Sequence, residues 1–109
     1  GKGLEVTWGP VKPTGSENFL EIPQSALAFP LRLRGWEPGD RIELPYGTKK
    51  LKKIFGEARI SVEERSRIPV LLDSHDRILW VAGLDSSVLA AASRGTEAFF
   101  VGIRHVDQG

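Results

Sequence analysis

Residues 31–44 read Leu-Arg-Leu-Arg-Gly-Trp-Glu-Pro-Gly-Asp-Arg-Ile-Glu-Leu and contain two short runs in which apolar and charged residues alternate. A period of two places successive side chains on opposite faces of a β-strand. Between the runs, Pro38 presets φ, and Gly39 accepts the positive φ that a type II turn requires. The stretch therefore predicts two strands around a tight turn.

Further strands are predicted on both sides of this stretch. Apolar runs bounded by turn residues indicate them at residues 4–8, 19–22, 70–72, 78–82 and 97–106. The third and fourth of these flank a polar turn at residues 73–76 and are typical of a hairpin. Trp8 and Trp80 lie on apolar alternations, which favours core positions for both.

Two short helices are predicted in the middle of the chain. The first follows Thr48, a candidate N-cap, and Gly56 either ends it or weakens it. Ser61, with Glu64 three residues later, is typical of a capping box that starts the second. Residues 86–93 are a further helical candidate. The predicted class is α+β, a mostly antiparallel β-sheet or sandwich-like domain with two short helices inserted in the middle.

Length and composition fit one globular domain. The chain has 109 residues, of which 40% are hydrophobic and 27% charged. It has no cysteine, which excludes disulfides and thiolate metal sites and agrees with a cytoplasmic location. No apolar run approaches the roughly 18 residues of a membrane span. We therefore expect a single domain over residues 1–109, with residues 1–3 as a candidate expression remnant and no membrane partner.

The positive charge is concentrated in one block. The whole chain carries a net charge of only +1, but residues 31–60 hold eight cations and four acids, a net charge of +4. A basic block of this kind is the usual electrostatic footprint of a surface that meets an anion. The block therefore contains the strongest candidates for a binding site.

A lysine cluster is the sharpest feature of this block. In a helix after Thr48, the apolar residues Leu51, Ile54 and Phe55 would share one face. The opposite face would then carry four ammonium groups, Lys49, Lys50, Lys52 and Lys53. Two interpretations stay open, a face that contacts phosphates and an ordinary solvated helix face. Thr48 and the first-turn amides are a second candidate anion site, against which simple capping is the alternative.

The neighbouring strands add further candidates. Arg32 and Arg34 share a strand face, and Arg41 starts the next strand. Arginines there could grip phosphates by bidentate contacts, or they could pair with the nearby acids Glu21, Glu37 and Glu43. Trp36 could stack on a base if exposed, although a buried position is the alternative.

Catalytic patterns are weak by comparison. Ser74-His75-Asp76 superficially suggests a triad, but neighbouring turn residues cannot adopt the relay geometry. His75 and His105 are the only histidines, and without cysteine a metal site is not expected. Glu63 and Glu64 suit a helix start rather than acid–base work. The chain contains neither a P-loop nor a dinucleotide fingerprint, so a binding role is favoured over catalysis.

Four segments in order carry a resemblance to a known family. They are Leu31-Arg-Leu-Arg-Gly-Trp-Glu-Pro-Gly-Asp-Arg-Ile, Gly47-Thr-Lys-Lys-Leu-Lys-Lys-Ile-Phe, Arg67-Ile-Pro-Val-Leu and Ile78-Leu-Trp-Val-Ala-Gly-Leu. From about Leu31 to Leu84, their order and spacing resemble the C-terminal domain of bacterial tRNA(Ile)-lysidine synthetases. Gly56 and Ser61 depart from the family pattern, which suggests a shorter lysine helix here.

The resemblance implies a function for the longer protein. The full enzyme of this family is a ligase that uses ATP, and magnesium with it, to attach lysine to the wobble cytidine of an isoleucine tRNA. Its catalytic N-terminal domain carries a Ser-Gly-Gly-x-Asp-Ser loop, which is absent from this sequence. The C-terminal domain would then be non-catalytic, need no cofactor, and hold tRNA near the acceptor stem. The implied partners are tRNA and the catalytic domain of the same polypeptide.

Two other classes of function stay open at this point. A protein–protein or interdomain module would direct the lysine face to an acidic surface instead of RNA. A small stand-alone enzyme is the third hypothesis, which the lack of a catalytic constellation disfavours.

Overall fold

The chain forms short strands with two helices between them. The computed structural model describes residues 2–16, 18–91 and 97–107. Within these ranges the strands are β1 (Lys2–Gly9), β2 (Asn18–Pro23), β3 (Arg32–Arg34), β4 (Arg41–Leu44), β5 (Gly47–Lys50), β6 (Val70–Leu72), β7 (Ile78–Val81), β8 (Asp85–Ser86) and β9 (Ala98–Asp107). The helices are α1 (Leu51–Glu57) and α2 (Val62–Arg65), and single 3-10 turns occur at Gln24–Ala26 and Val88–Ala90.

The described strands pair antiparallel in three small sheets. β9 lies between β1 and β2, the second sheet has the order β3-β6-β7-β8, and β4 pairs with β5 alone. Both helices fall between β5 and β6. This arrangement confirms the predicted α+β class with two helices inserted in the middle.

The β6–β7 hairpin separates two hydrophobic cores. Val70 and Val81 point into a first core with β4 and α1, and both are fully buried. Leu71 and Leu79 point into a second core with β2 and β9. A hairpin buried on both faces needs an apolar residue at nearly every position, which explains its continuous apolar runs. Trp80, 4% exposed, lies in the second core as predicted.

The two strands predicted within residues 31–44 form as β3 and β4, but they do not pair with each other. The turn forms as expected, with Gly39 at a φ of +92° and the Asp40 amide donating to the Glu37 carbonyl at 3.0 Å. However, β3 pairs with β6, and β4 pairs with β5. Local alternation identifies which residues are extended, but the choice of partner depends on segments far along the chain.

The start of the first helix also differs from the prediction. Residues 47–50 pair back onto β4, because Gly47 adopts a φ of +131° after the turn at residues 45–46. Thr48 therefore lies on a strand, and Lys50 is the N-cap of α1 without a side-chain cap. Ser61 is the N-cap of α2 as predicted, since its Oγ accepts from the Glu64 amide at 3.2 Å.

Two further expectations concern the ends of the chain. Trp8 is 76% exposed, so its predicted core position is wrong. The face of β1 that carries Trp8 points inward, but no described residue covers it there. The helical candidate at residues 86–93 is a short β8 strand followed by a 3-10 turn, and residues 92 and 93 lie outside the described ranges. In the described part of the chain, no helix has the length and hydropathy to cross a membrane.

A buried aspartate closes the central hairpin. Asp73 Oδ1 accepts from the backbone amides of His75 and Arg77 at 3.0 and 2.9 Å, and Oδ2 accepts from Arg77 Nε at 2.7 Å. Burial alone would raise the pKa of Asp73, but these hydrogen bonds outweigh it and lower the pKa below its ordinary value. The ionised carboxylate is thus the form that stabilises the turn.

We expect Asp73→Ala to lower the free energy of unfolding by about 2–3 kcal/mol, because two amides in the turn lose their acceptor. Asp73→Asn keeps one acceptor oxygen and should cost less. Since the folded-state pKa is lowered, the stabilisation is present above the unfolded pKa of about 3.9 and is lost as the pH falls through the folded value. Urea unfolding at pH 7 and pH 3 measures both effects. A variant as stable as the parent at pH 7 would contradict this role.

Candidate nucleic-acid interface

Two cations face each other on the β4–β5 hairpin. Arg41 is the register partner of Lys50, and both side chains are exposed. Like charges directly opposite on antiparallel strands repel and destabilise the pair. Glu43 lies two residues further on the same face, opposite Thr48, but it forms no ion pair with either cation. An anion bound between Arg41 and Lys50 would relieve this repulsion.

Two more lysines follow on the first turn of α1. Lys52 and Lys53 are exposed, and this turn contains no acidic residue. The N-terminal end of a helix carries a partial positive charge, so cations are disfavoured there. Lys53 precedes Glu57 by one turn and contributes to the lowered pKa of that carboxyl, although the two form no ion pair. Arg41, Lys50 and Lys52 thus lie where local electrostatics opposes them, and we call these three cations, together with the neighbouring Lys53, the cationic hairpin.

Lys49 does not belong to this group. Its side chain is half-buried and donates a hydrogen bond to Glu57 at the far end of α1. This hydrogen bond raises the pKa of Lys49 and lowers the pKa of Glu57. The helical wheel had placed Lys49 beside the other lysines. As a strand residue, it points to the opposite face of β5 from Lys50.

Arg32 and Arg34 are both paired with acids. Arg34 donates to the two carboxylate oxygens of Asp40 at 2.8 and 3.0 Å, which raises the pKa of the guanidinium. Burial would raise the pKa of Asp40, but the bonds from Arg34 and the Glu37 amide lower it overall. Arg32 pairs with Asp76 at 2.5 Å. The pairing alternative for these arginines is therefore the observed one. Arg34 pairs with the predicted Glu37 at 4.0 Å, while Asp40 and Asp76 are partners that the sequence did not indicate.

The other two predicted site residues have different surroundings. Trp36 is half-buried and packs edge-on against Phe55, with ring centroids 5.2 Å apart. Trp36 packs against the first core, so its ring is not free to stack on a base. Thr48 is exposed on β5 opposite Glu43, and the proposed anion site at its helix amides does not form. Its hydroxyl remains at the edge of the cationic hairpin.

The described residues form neither a metal-binding cluster nor a catalytic triad. No group of three or more histidine, aspartate or glutamate side chains that could hold a metal occurs in this part of the chain. Asp76 is occupied by Arg32, and Ser74 and His75 form the hairpin turn. The sequence reasoning missed the facing of Arg41 and Lys50, because it required the unpredicted β5 strand. The signal available in the sequence was Gly47 itself, since glycine readily adopts the positive φ that the structure shows there.

Comparison with known proteins identifies relatives over most of the chain. The tRNA(Ile)-lysidine synthase of Geobacillus kaustophilus is 44% identical over 94 residues, which cover 84% of this chain and 20% of that protein. The Geobacter sulfurreducens protein of the same name is 37% identical over 97 residues, or 86% of this chain and 19% of that protein. The chain thus spans about one fifth of the length of the curated relatives it matches.

A solved structure and a family profile agree with these relatives. A structure titled "Crystal structure of TILS C-terminal domain" superposes with a TM-score of 0.75 and 34% identity, covering 100% of this chain and 86% of that one. The profile described as "TilS substrate C-terminal domain" matches residues 31–101, which include β3 to β8 and the cationic hairpin. On these matches, the chain belongs to the TilS substrate C-terminal domain family of tRNA(Ile)-lysidine synthases.

Proposed function

We propose that this chain is a non-catalytic domain that holds tRNA through the cationic hairpin. The observation that carries the proposal is the facing of Arg41 and Lys50 across β4 and β5, with Lys52 on the adjoining helical turn. Exposed cations held together without acidic partners have their repulsion relieved by a phosphate backbone. The relatives are tRNA(Ile)-lysidine synthases, and a tRNA is an anion that matches these cations.

The longer polypeptide is proposed to carry out the chemistry. By its family it would use ATP and magnesium to attach lysine to the wobble cytidine of an isoleucine tRNA, as a ligase in the cytoplasm. We propose that this domain holds a part of the tRNA distant from that cytidine, in the acceptor-stem region that the family resemblance implies. Binding energy gained away from the reacting base orients the substrate in the catalytic domain.

The alternative hypothesis is that the cations bind an acidic protein surface instead of tRNA. An acidic protein surface would also relieve the repulsion between Arg41 and Lys50. The relatives' name favours RNA as the anion. The two functions make opposite predictions for tRNA affinity, which the next experiment uses.

We expect the affinity for tRNA to fall with salt at a slope of roughly −2 to −3 in log–log form, because three to four cations each release about 0.7–0.9 counterions. Arg41→Ala, Lys50→Ala and Lys52→Ala should each make this slope shallower by about one unit. Lys12→Ala, on a loop of the β1–β9–β2 side, removes the same charge and should leave the slope unchanged. Filter binding or anisotropy over a salt series gives the slopes.

Lys49→Ala separates phosphate contact from net charge within the same hairpin. Because Lys49 is held by Glu57, we expect its removal to change the salt slope less than Lys50→Ala does. Equal slopes for the parent and for the Arg41, Lys50 and Lys52 variants would contradict tRNA binding by the cationic hairpin and favour the protein-interaction alternative. Circular dichroism confirms that each variant is folded.

We expect the chain to discriminate little between an isoleucine tRNA and an unrelated tRNA, because phosphate contacts carry no sequence information. Competition binding with the two tRNAs measures the ratio. A preference above about tenfold, or 1.4 kcal/mol, would require base-reading contacts that the cationic hairpin does not supply.

The purified chain should neither hydrolyse ATP nor transfer lysine to tRNA, since the Ser-Gly-Gly-x-Asp-Ser loop of the family's catalytic domain is absent from its sequence. Incubation with tRNA, ATP and labelled lysine tests this. Label incorporated into tRNA by the chain alone would overturn the non-catalytic assignment.

A further inference from the structure

The inward face of β1 is only partly covered. Leu4, Val6 and Trp8 alternate on one face, and their register partners on β9 are His105, Ile103 and Val101. Register partners lie on the same face of a sheet. On β9, Ile103 and Val101 are 1% and 2% exposed, but on β1 Trp8 is 76% exposed and Leu4 38%. The same face of the sheet is therefore buried in the core at β9 and exposed to solvent at β1.

A groove runs beside this open face. At one end a cleft of about 320 Å³ is lined by Trp8 and Phe99 on the sheet and by Phe29, Pro30 and Leu31 opposite. At the other end a cleft of about 380 Å³ lies between Gly3 and Leu4 and the segment 33–35. The residue numbers rise from 3 to 8 along β1 and fall from 35 to 29 along the segment that faces it, so the two segments run in opposite directions. We call this space between two edge strands, β1 and β3, the β1 groove.

The groove has the chemistry of a protein contact. The Trp8 cleft is lined entirely by apolar side chains, and Phe29, 55% exposed, packs edge-on against Phe99 at 5.6 Å. Large aromatic side chains grouped around a pocket are typical anchors of protein interfaces. A nucleic acid would require cations, and the Trp8 cleft is lined by none. The cleft at Leu4 is lined by Arg34, which is paired with Asp40, and by the exposed Arg67, so the apolar chemistry belongs to the Trp8 end of the groove. The exposed cations of the cationic hairpin lie on a different sheet.

The chain's own sequence offers little to fill the groove. Residues 92–96, which precede β9 and lie outside the described ranges, read Ala-Ser-Arg-Gly-Thr and contain no large apolar side chain. The relatives are about five times longer than the matched region, so most of such a polypeptide lies outside this chain. A covalently tethered segment has an effective concentration of about millimolar, so even a small apolar groove can hold it.

We propose that the β1 groove receives an apolar segment of the longer polypeptide to which this chain belongs, with Trp8 and Phe29 as its anchors. The docked segment covers the open face of β1 and fixes this domain relative to the rest of the enzyme. The contact is separate from the cationic hairpin, so it positions the domain without occupying the surface proposed for tRNA.

Hydroxyl-radical footprinting of the full-length polypeptide, without tRNA, tests the proposal with three internal references. In the structure Trp8 is exposed, Trp36 half-buried and Trp80 buried, so an empty groove makes Trp8 the fastest-oxidised of the three. We expect the order to reverse, with Trp8 slower than Trp36. Tyr46, equally exposed at 76% on the β4–β5 turn, is the matched control and should stay reactive.

A charge placed in the groove tests the cause of that protection. In full-length Phe29→Glu, Trp8 should again become the fastest-oxidised tryptophan, while Trp36 and Trp80 keep their rates and so report an intact fold. The Tyr46→Glu control should leave Trp8 protected. The salt slope of tRNA binding reports on the cationic hairpin alone, so the proposed function and the groove can fail separately.

Three outcomes overturn the proposal. Trp8 as the fastest-oxidised tryptophan in the full-length protein shows an open groove. Protection of Trp8 that arises only when tRNA is added assigns the groove to RNA. Protection that increases with protein concentration, together with a dimer in sedimentation, assigns it to a second copy of the chain.

Discussion

The rest of the fold depends on burial of both faces of the β6–β7 hairpin. Its apolar side chains are divided between two cores, and both cores depend on it. Since such a hairpin has no solvated face, its turn must satisfy its own polar groups, and Asp73 does this with backbone and side-chain hydrogen bonds while 1% exposed. A compact hairpin of this kind lets two small sheets and two helices assemble on opposite sides of it.

The cationic hairpin follows from the same constraint. Ile42 and Leu44 point into the first core, so by alternation Arg41 and Glu43 must face outward. Leu51 is buried in that core, and its amide donates to the Asp40 carbonyl at 3.0 Å, which ties the start of α1 to the start of β4. Packing therefore forces the cations into one exposed group, and electrostatic repulsion within it is the cost of placing them there.

The sequence predicted elements better than it predicted their partners. Strong local signals, such as the capping box of α2 and the apolar runs of β6 and β7, gave the right structure because neighbouring residues determine them. The β5 strand was taken for the start of a helix, since Thr48 followed by four lysines around Leu51 has a helical period. Pairing with β4 overrode that preference, and Gly47 was the local signal of the turn that makes this pairing possible.

The candidate site was predicted as a region rather than as a set of contacts. The excess of cations in residues 31–60 points to the β4–β5 and α1 segment, but long-range ion pairs decide which of these cations lack an acidic partner. Arg32 pairs with Asp76, 44 positions away, and Lys49 pairs with Glu57 across the length of α1. Such pairs require the tertiary fold, so counting charge along a sequence overestimates the number available to a ligand.

Trp8 illustrates the opposite kind of error. Its alternation with Leu4 and Val6 places it on the face of β1 whose register partners on β9 include the buried Ile103 and Val101, yet Trp8 itself is 76% exposed. Apolar alternation in a sequence reflects burial in the whole polypeptide, whereas the structure of one domain shows only the burial within that domain. Where a large aromatic residue on an edge strand is expected to be buried but is exposed in the domain, it marks a surface that another part of the same protein can cover. This domain then presents two chemically distinct surfaces, a cationic one suited to phosphates and an apolar one suited to protein, on separate sheets. If both proposals hold, that separation allows one domain to contact a nucleic acid and its own catalytic polypeptide at the same time.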